Sequence, residues 1–398
     1  MNNFPIAGIR LASIAAGIKK NNKDDLVAIE IAAGSFVAAV FTQNAFCAAP
    51  VVLSRENLQK RTPRCLLINS GNANAGTGQQ GIDDARACCE WVAKDLGCGP
   101  EEVLPFSTGV IGENLPLEKF LSAIPTLLHK LQEEAWQPAA EGILTTDTRP
   151  KLRSRQIQIE AETITITGMA KGAGMIMPNM ATLLAYIGTD ANIEQTLLCQ
   201  CLQYAVQSSF NKITVDGDTS TNDSCVLIAT NQSNMHALSD VHDKNYILFR
   251  NAVSELCQDL AKDLIRDAEG ATKLVNIVVS GGRTVEECRD TAYTIAHSPL
   301  TKTAMFACDP NWGRILAAVG RSGVEGLDAN NITICLDDVL IACQGGRNPE
   351  YREVDAQKVM DKSEYTIAVN LGLGECEAHV WTCDLSYDYI KINAEYRS

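Results

Sequence analysis

"KGAGMIMPNMATLLAYIGTDA", residues 171–191, sets a small, glycine-rich stretch against a run that reads as a β-strand, with one threonine, Thr182, at the join. The strand's mouth holds that hydroxyl rigidly. Gly172 and Gly174 permit unusual backbone dihedrals upstream, and Lys171 brings a cation. A threonine hydroxyl is a poor nucleophile until a base takes its proton. Cleaving the chain before the threonine supplies one, because the new α-amino group can act as base without any histidine. Its ordinary pKa, about 7.7–8.0, lies near the range where general bases work best at neutral pH. The competing reading is a β-branched residue that merely starts a strand. Taken alone, the stretch leaves both open.

The 398 residues around it exceed the usual single domain, so two packed domains or one α/β unit with two lobes are expected. Hydrophobic residues at 46% and charged ones at 21% provide a sizeable core and argue against disorder. A net charge of −14 sets the surface against nucleic acid and anionic membranes, which carry the same sign. Small-molecule or protein partners fit better. The fifteen cysteines include no CxxC pair and no matching histidines, which points to reduced, structural thiols in the cytoplasm. No apolar run approaches the roughly 20 residues of a membrane helix, and the short run between Arg10 and Lys19 lacks a convincing cleavage region for a signal peptide. A soluble, cytoplasmic protein is expected.

Periodicity supplies the elements. "LVAIEIAAGSFVAAVFT" places two apolar runs about Gly34-Ser35, the pattern of a β-hairpin. "RCLLINSGNANAGTG" reads as a strand ending in a Gly/Asn loop, and Ala85, Cys88, Cys89, Val92 and Leu96 then recur at helical spacing. "LPFSTGVIGENLP" is a strand that opens into a loop holding Thr108 and Gly109. A helix follows Pro116, with Pro125 inside it. "QIQIEAETITIT" alternates as a hairpin leading into the opening stretch, and Ile193, Leu197, Leu198, Leu202 and Ala205 mark another helix. The second half predicts a long helix over 246–266, a strand at "LVNIVVSG", and a helix opened by Thr284 with Glu287 in a capping box. Two strands, "EYTIAVNLG" and "EAHVWTCDL", close it. Strands and helices alternate in pairs, which favours α+β layers with helices outside sheets.

Other chemistries find little support. The five histidines stand at no metal-ligand spacing, and "DGDTSTND" (216–223) lacks the glycine an EF-hand needs, so it reads as a hydrogen-bonded turn. No P-loop or complete G-x-G-x-x-G occurs.

The opening stretch, extended to "MAKGAGMIMPNMATLLAYIGTDA", closely resembles the cleavage-site signature of the ornithine acetyltransferase family, also called glutamate N-acetyltransferases, enzymes of arginine biosynthesis. "NSGNANAGTG", "STGVIGENLP", "TTDTRPK", "ITVDGDTSTNDS", "DAEGATK", "SPLTKTA", "DPNWGRI" and "IKINAEYRS" resemble that family's other motifs in the same order. The resemblance implies self-cleavage between Ala181 and Thr182, giving an α chain of residues 1–181 and a β chain of 182–398. It implies ping-pong transfer of acetyl from N-acetylornithine to glutamate through acetyl-Thr182. The oxyanion donors fall on the Thr108 hydroxyl and the Gly109 N–H, and the substrate contacts on Thr145, Lys171, Thr182, Glu269, Asn393 and Ser398. Charge suggests Lys171 for a substrate carboxylate and Glu269 for its ammonium. In "TTDT", Thr146 or Thr148 takes the place of Thr145 if the register differs, while Met177 and Leu184 are slight departures from the signature. The implied fold is an α+β sandwich of two sheets enclosed by helices with a smaller second lobe, assembled as α₂β₂. No metal or organic cofactor is implied, and use of acetyl-CoA as a donor stays open. The rivals are a self-cleaving aminopeptidase or amidase of similar architecture, and an uncleaved amino-acid-binding protein in which Thr182 is only structural.

Overall fold

The computed structural model describes residues 4–177 and 183–395. It divides into two compact units. The first comprises Met1–Gly172, Pro178–Asn211 and Thr219–Leu264 as far as they are described, and the second Ala173–Met177, Lys212–Asp218 and Ile265–Ser398 likewise.

The first unit contains strands β1 (Ile9–Ile14), β2 (Leu26–Ile31) and β3 (Phe36–Phe41), helix α1 (Ala49–Lys60), β4 (Cys65–Asn72), α2 (Gly78–Leu96) and β5 (Val103–Val110). Helices α3 (Leu117–His129) and α4 (Trp136–Gly142) follow, then β6 (Lys151–Ile159), β7 (Glu162–Lys171), β8 (Leu184–Thr189) and α5 (Gln195–Ser208). Strand β9 (Ile213–Thr214) belongs to the second unit, after which β10 (Ser224–Ala229) and all but the last two residues of α6 (Lys244–Arg266) return to the first. Its strands form a four-stranded sheet, β1-β2-β4-β5, and a five-stranded one, β3-β10-β8-β7-β6.

Side chains of a strand alternate between faces, and here both faces are apolar. From the first sheet, Ile9, Leu11, Val27, Ile29, Leu66, Ile68, Leu104 and Phe106 join Val37, Met169, Leu184, Tyr186, Val226 and Ile228 of the second in one buried cluster. The intervening residues Ala12, Ile14, Leu26, Ala28, Cys65, Leu67 and Val103 face α2 and α3, burying Ala85, Cys88, Val92, Phe120 and Ile124. The outer face of the second sheet lies under α6. A Cβ on Gly168 of β7 would come within 2.9 Å of Leu256 and 3.3 Å of Leu260, so the glycine admits the helix. Helices therefore cover both sheets, as α+β layering requires.

Several sequence expectations hold: the β6–β7 hairpin pairs antiparallel from Lys151↔Ala170 to Ile159↔Glu162, and α2, α3 and α6 form where periodicity puts them. The hairpin expected about Gly34-Ser35 does not form. β2 pairs with β1 and β4, whereas β3 pairs with β10 in the other sheet. Both runs are apolar on both faces, so nothing in their pattern ties one to the other, and the connection crosses between sheets. Thr108 and Gly109 lie within the last residues of β5 rather than in the loop beyond it. Ile193 precedes α5 and bridges to Leu238.

The second unit is built on a seven-stranded mixed sheet. After β9 come β11 (Leu274–Gly282), α7 (Val285–Ala296), α8 (Pro299–Phe306), α9 (Trp312–Gly320), β12 (Thr333–Leu336), β13 (Val339–Cys343) and β14 (Gly346–Arg347). Helix α10 (Glu353–Met360), β15 (Glu364–Asn370), β16 (Cys376–Cys383) and α11 (Tyr387–Ala394) complete it. The sheet order is β14-β13-β12-β15-β11-β16-β9. Val275, Ile277, Val279, Ile367 and Val369 pack against Ala292 and Ile295 of α7, Ile315 and Val319 of α9, and Val359 of α10. At the start of α7, the Thr284 side chain accepts from Glu287 N–H while the Glu287 carboxylate accepts from Arg283 N–H at 2.9 Å. No helix among the described residues is long and apolar enough to cross a membrane.

Candidate active site

In the first unit the site grows from two parallel strands. β4 and β5 bring Gly71 opposite Gly109. Gly109 has φ +131°, and a Cβ there would lie 2.4 Å from the Gly71 carbonyl carbon and 2.7 Å from Asn72 N. Only glycine fits that approach. The preceding carbonyl, Ser107 O, accepts from Asn222 Nδ2 at 2.9 Å, so the strand end is pinned immediately before Thr108.

Lys171 ends β7 and is buried, with 8% exposure. Its Nζ donates to Thr108 Oγ1 at 3.1 Å. Below it, Asp147 accepts from Lys151 Nζ at 2.5 Å and from Gly172 N–H at 2.8 Å through Oδ1, and from Thr145 N–H at 3.0 Å through Oδ2. The Asp147–Lys151 pair is buried on both sides. Burial alone would push the Asp147 carboxyl up, but Lys171, Lys151 and the Gly172 N–H outweigh it and hold the group well below the usual carboxylate range. Lys19, half-buried, is brought down to about 8 by burial, with Asp25 opposing and Lys171 adding to the shift.

Asp223 is the opposite case. It is 3% exposed, and its Oδ2 has no hydrogen-bond partner among the described residues. Burial pushes its carboxyl well up, against hydrogen bonds from Ser220 and the charge of Lys171. Its neighbour Ser224 donates its N–H to Leu183 O at 2.8 Å, and Leu183 is the residue that follows Thr182 in sequence.

The second unit gathers a different set. Glu269, 8% exposed, accepts from Asn393 Nδ2 at 2.7 Å and donates its N–H to Ala173 O at 2.9 Å. A Cβ on Gly174 would lie 2.5 Å from Glu269 Oε2, so the glycine lets the carboxylate rest on the backbone. Asp216 accepts from Met175 N–H at 2.7 Å and Ile176 N–H at 3.0 Å, and Tyr389 donates to it at 3.2 Å. The aspartate-rich motif therefore works as the hydrogen-bonded turn expected of it.

The structure thus brings Thr108, Gly109 and Lys171 together, with Thr145 tied to them through Asp147, and separately pairs Glu269 with Asn393. Ala181, Thr182 and Ser398 lie outside the described residues. Sequence reasoning missed Asp147, Lys151 and Asp223. Each stands inside a motif it quoted, but no periodicity marks them, since Asp147 lies outside any helix and Lys151 opens β6. All fifteen cysteines are free thiols. Burial raises Cys65, Cys89, Cys201 and Cys225 far from the thiolate form a nucleophile needs.

Two sheets packed between helices, with a strand-end hydroxyl and glycine beside a buried ammonium, are the framework of an acyl-transferring enzyme. Residues 10–398 match the model of the ArgJ family, and the chain belongs to that family. Membership makes it an acetyltransferase of arginine biosynthesis. It is 54% identical to the arginine biosynthesis bifunctional protein ArgJ of Methylococcus capsulatus over 394 residues, 99% of this chain and 96% of that one. The protein of the same name from Pseudomonas fluorescens is 50% identical over 394 residues, covering 99% and 97%. Among solved structures, ArgJ of Bacillus halodurans is 38% identical with a TM-score of 0.50, covering 52% of this chain and 97% of that chain.

Proposed function

We propose that the chain cleaves itself between Ala181 and Thr182 and then carries acetyl from N-acetylornithine to glutamate on the Thr182 hydroxyl. In cleavage, Thr182 Oγ attacks the Ala181 carbonyl and the acyl group passes from N to O. Water then releases residues 1–181 as the α chain and leaves 182–398 as the β chain with a free α-amine. That amine serves as base in the mature enzyme. N-acetylornithine gives its acetyl to Oγ and leaves as ornithine; glutamate attacks the ester and leaves as N-acetylglutamate.

The observation that carries this reading is the Lys171–Thr108 hydrogen bond beside Gly109, on a chain that matches the ArgJ family over residues 10–398. Each tetrahedral intermediate carries an oxyanion, and the Thr108 hydroxyl and Gly109 N–H are the donors assigned to it. Thr145, Lys171, Glu269, Asn393 and Ser398 are assigned to the substrate by the family resemblance. Glu269 suits the ammonium of an amino acid. The chemistry uses side chains and the α-amine, without metal or organic cofactor. The chains assemble as α₂β₂ in the cytoplasm.

The relatives' designation as bifunctional favours acetyl-CoA as a second donor, which makes the enzyme an N-acetylglutamate synthase as well. The test is N-acetylglutamate formation by the purified protein with either N-acetylornithine or acetyl-CoA as donor. Product from both is expected. Product from acetylornithine alone would remove the synthase activity, and free acetate without acetylglutamate would return the aminopeptidase or amidase reading. Denaturing mass analysis should show two chains; one intact 43.0 kDa species would overturn self-cleavage.

A further inference from the structure

A threonine hydroxyl has one hydrogen to donate and two lone pairs to accept with, and its rotor is free to waste that hydrogen on any nearby carbonyl. An ammonium only donates. Because Lys171 Nζ donates to Thr108 Oγ1 at 3.1 Å, the Thr108 hydrogen must point away from Lys171 toward some other acceptor. A donor aimed in advance stabilises an oxyanion without reorganising at the moment of reaction.

What holds the ammonium there is a buried anion. Asp147 fixes the backbone one residue beyond Lys171 through the Gly172 N–H at 2.8 Å, and it neutralises the buried Lys151 at 2.5 Å. Its second oxygen is occupied by Thr145 N–H at 3.0 Å, so the carboxylate has no freedom to turn. Lys171 acts on this carboxylate by charge, and Lys19 adds a further cation to the same neighbourhood. Without the anion, the buried Lys151 and Lys171 ammoniums would lose the carboxylate whose charge acts on both.

We propose that Asp147 is a positioning residue for acyl transfer: it anchors Lys171 so that the Lys171 ammonium occupies a lone pair of Thr108 and leaves the Thr108 hydrogen for the oxyanion. The inference rests on the proposed assignment of Thr108 as an oxyanion donor.

A double-mutant cycle on the full chain tests it, reading kcat and KM for N-acetylornithine. Thr108→Ala should lower kcat about 10²- to 10³-fold. Asp147→Asn should lower kcat by about 10- to 100-fold, a part of that donor's worth, with KM changed by less than about threefold. If Asp147 acts through Thr108, adding Asp147→Asn to Thr108→Ala should cost less than about threefold more. Lys171→Arg, which still donates, should retain more kcat than Lys171→Met. Additive losses, or a loss confined to KM, would overturn the inference. A wild-type rate in Thr108→Ala would refute the Thr108 assignment and the inference with it. A slow Thr108→Ala beside a normal Asp147→Asn would remove the inference alone. Where a variant accumulates as precursor, the same cycle is read on the rate of cleavage. Should Asp147→Asn not fold, the neutral pair Asp147→Asn with Lys151→Gln removes the charge without stranding a buried lysine, and the cycle is read on that pair.

Discussion

Gly109 shows how one backbone position can decide both stability and chemistry. Its φ of +131° and the 2.4 Å separation that a Cβ would have from Gly71 leave no room for a side chain. Gly109→Ala should therefore lose about 1–3 kcal/mol from backbone strain alone, seen as a lower melting temperature, and should slow acetyl transfer because the N–H is displaced. A normal rate in the folded variant would remove Gly109 from the oxyanion site. Glu269→Gln tests the other unit. Losing a charged hydrogen bond to substrate is worth about 1.5–3 kcal/mol, so KM for acetylornithine should rise roughly 10- to 100-fold with kcat little changed; a loss in kcat alone would contradict ammonium binding. At this scale Thr108 and Gly109 were singled out by the family resemblance and their place at a strand end, and Lys171 as a cation near Thr182 in sequence; the structure brings the three together. Asp147 was not singled out. A carboxylate flanked by threonines in a polar segment looks solvated, and only its burial among lysines from β6 and β7 gives it weight.

Elements were legible wherever the apolar pattern had one dry face. The α2 helix buries one side more than the other and β6 exposes Gln156 and Gln158 between less exposed neighbours, so a period could be read there, whereas β7 showed it only in its Ile/Thr alternation, being buried at every position from Ile164 to Lys171. The β2 and β3 runs bury both sides, and alternation disappears along with any hint of pairing partner. Proximity in sequence then suggests a hairpin, whereas the chain crosses from one sheet to the other. This is the general weakness of reading a sandwich: a strand covered on both faces specifies that it is inside, not beside which neighbour. Helix ends are more local and correspondingly easier. Thr284 caps α7 as its spacing to Glu287 indicates. Thr284→Ala should cost about 1 kcal/mol of stability and leave kcat unchanged, because the cap serves only the helix start. A change in kcat without a change in melting temperature would argue against a purely structural cap.

At the scale of the whole molecule, the net charge of −14 makes the folded chain sensitive to pH through self-repulsion, and this background hides individual groups. Differences between variant and wild type remove it. Asp147 is held below its unfolded pKa of about 3.9, so its contribution to stability is fully present above that value and is lost as pH falls through the depressed folded one. Asp147→Asn should thus be destabilised at neutral pH, with the gap closing as the solution is acidified below about pH 4. Asp223 has the reverse sign. Its folded pKa is raised, so the folded chain holds a proton that the unfolded chain releases above about pH 3.9, and rising pH favours unfolding until the folded value is passed. Asp223→Asn cannot ionise and escapes that cost. Its melting temperature relative to wild type should therefore climb steadily from pH 5 upward, while the Asp147→Asn difference stays flat over the same interval. Parallel curves for the two variants would mean that the two carboxyls share one environment. The opposed slopes are what a carboxylate locked between lysines and a carboxyl raised by burial in the same unit require.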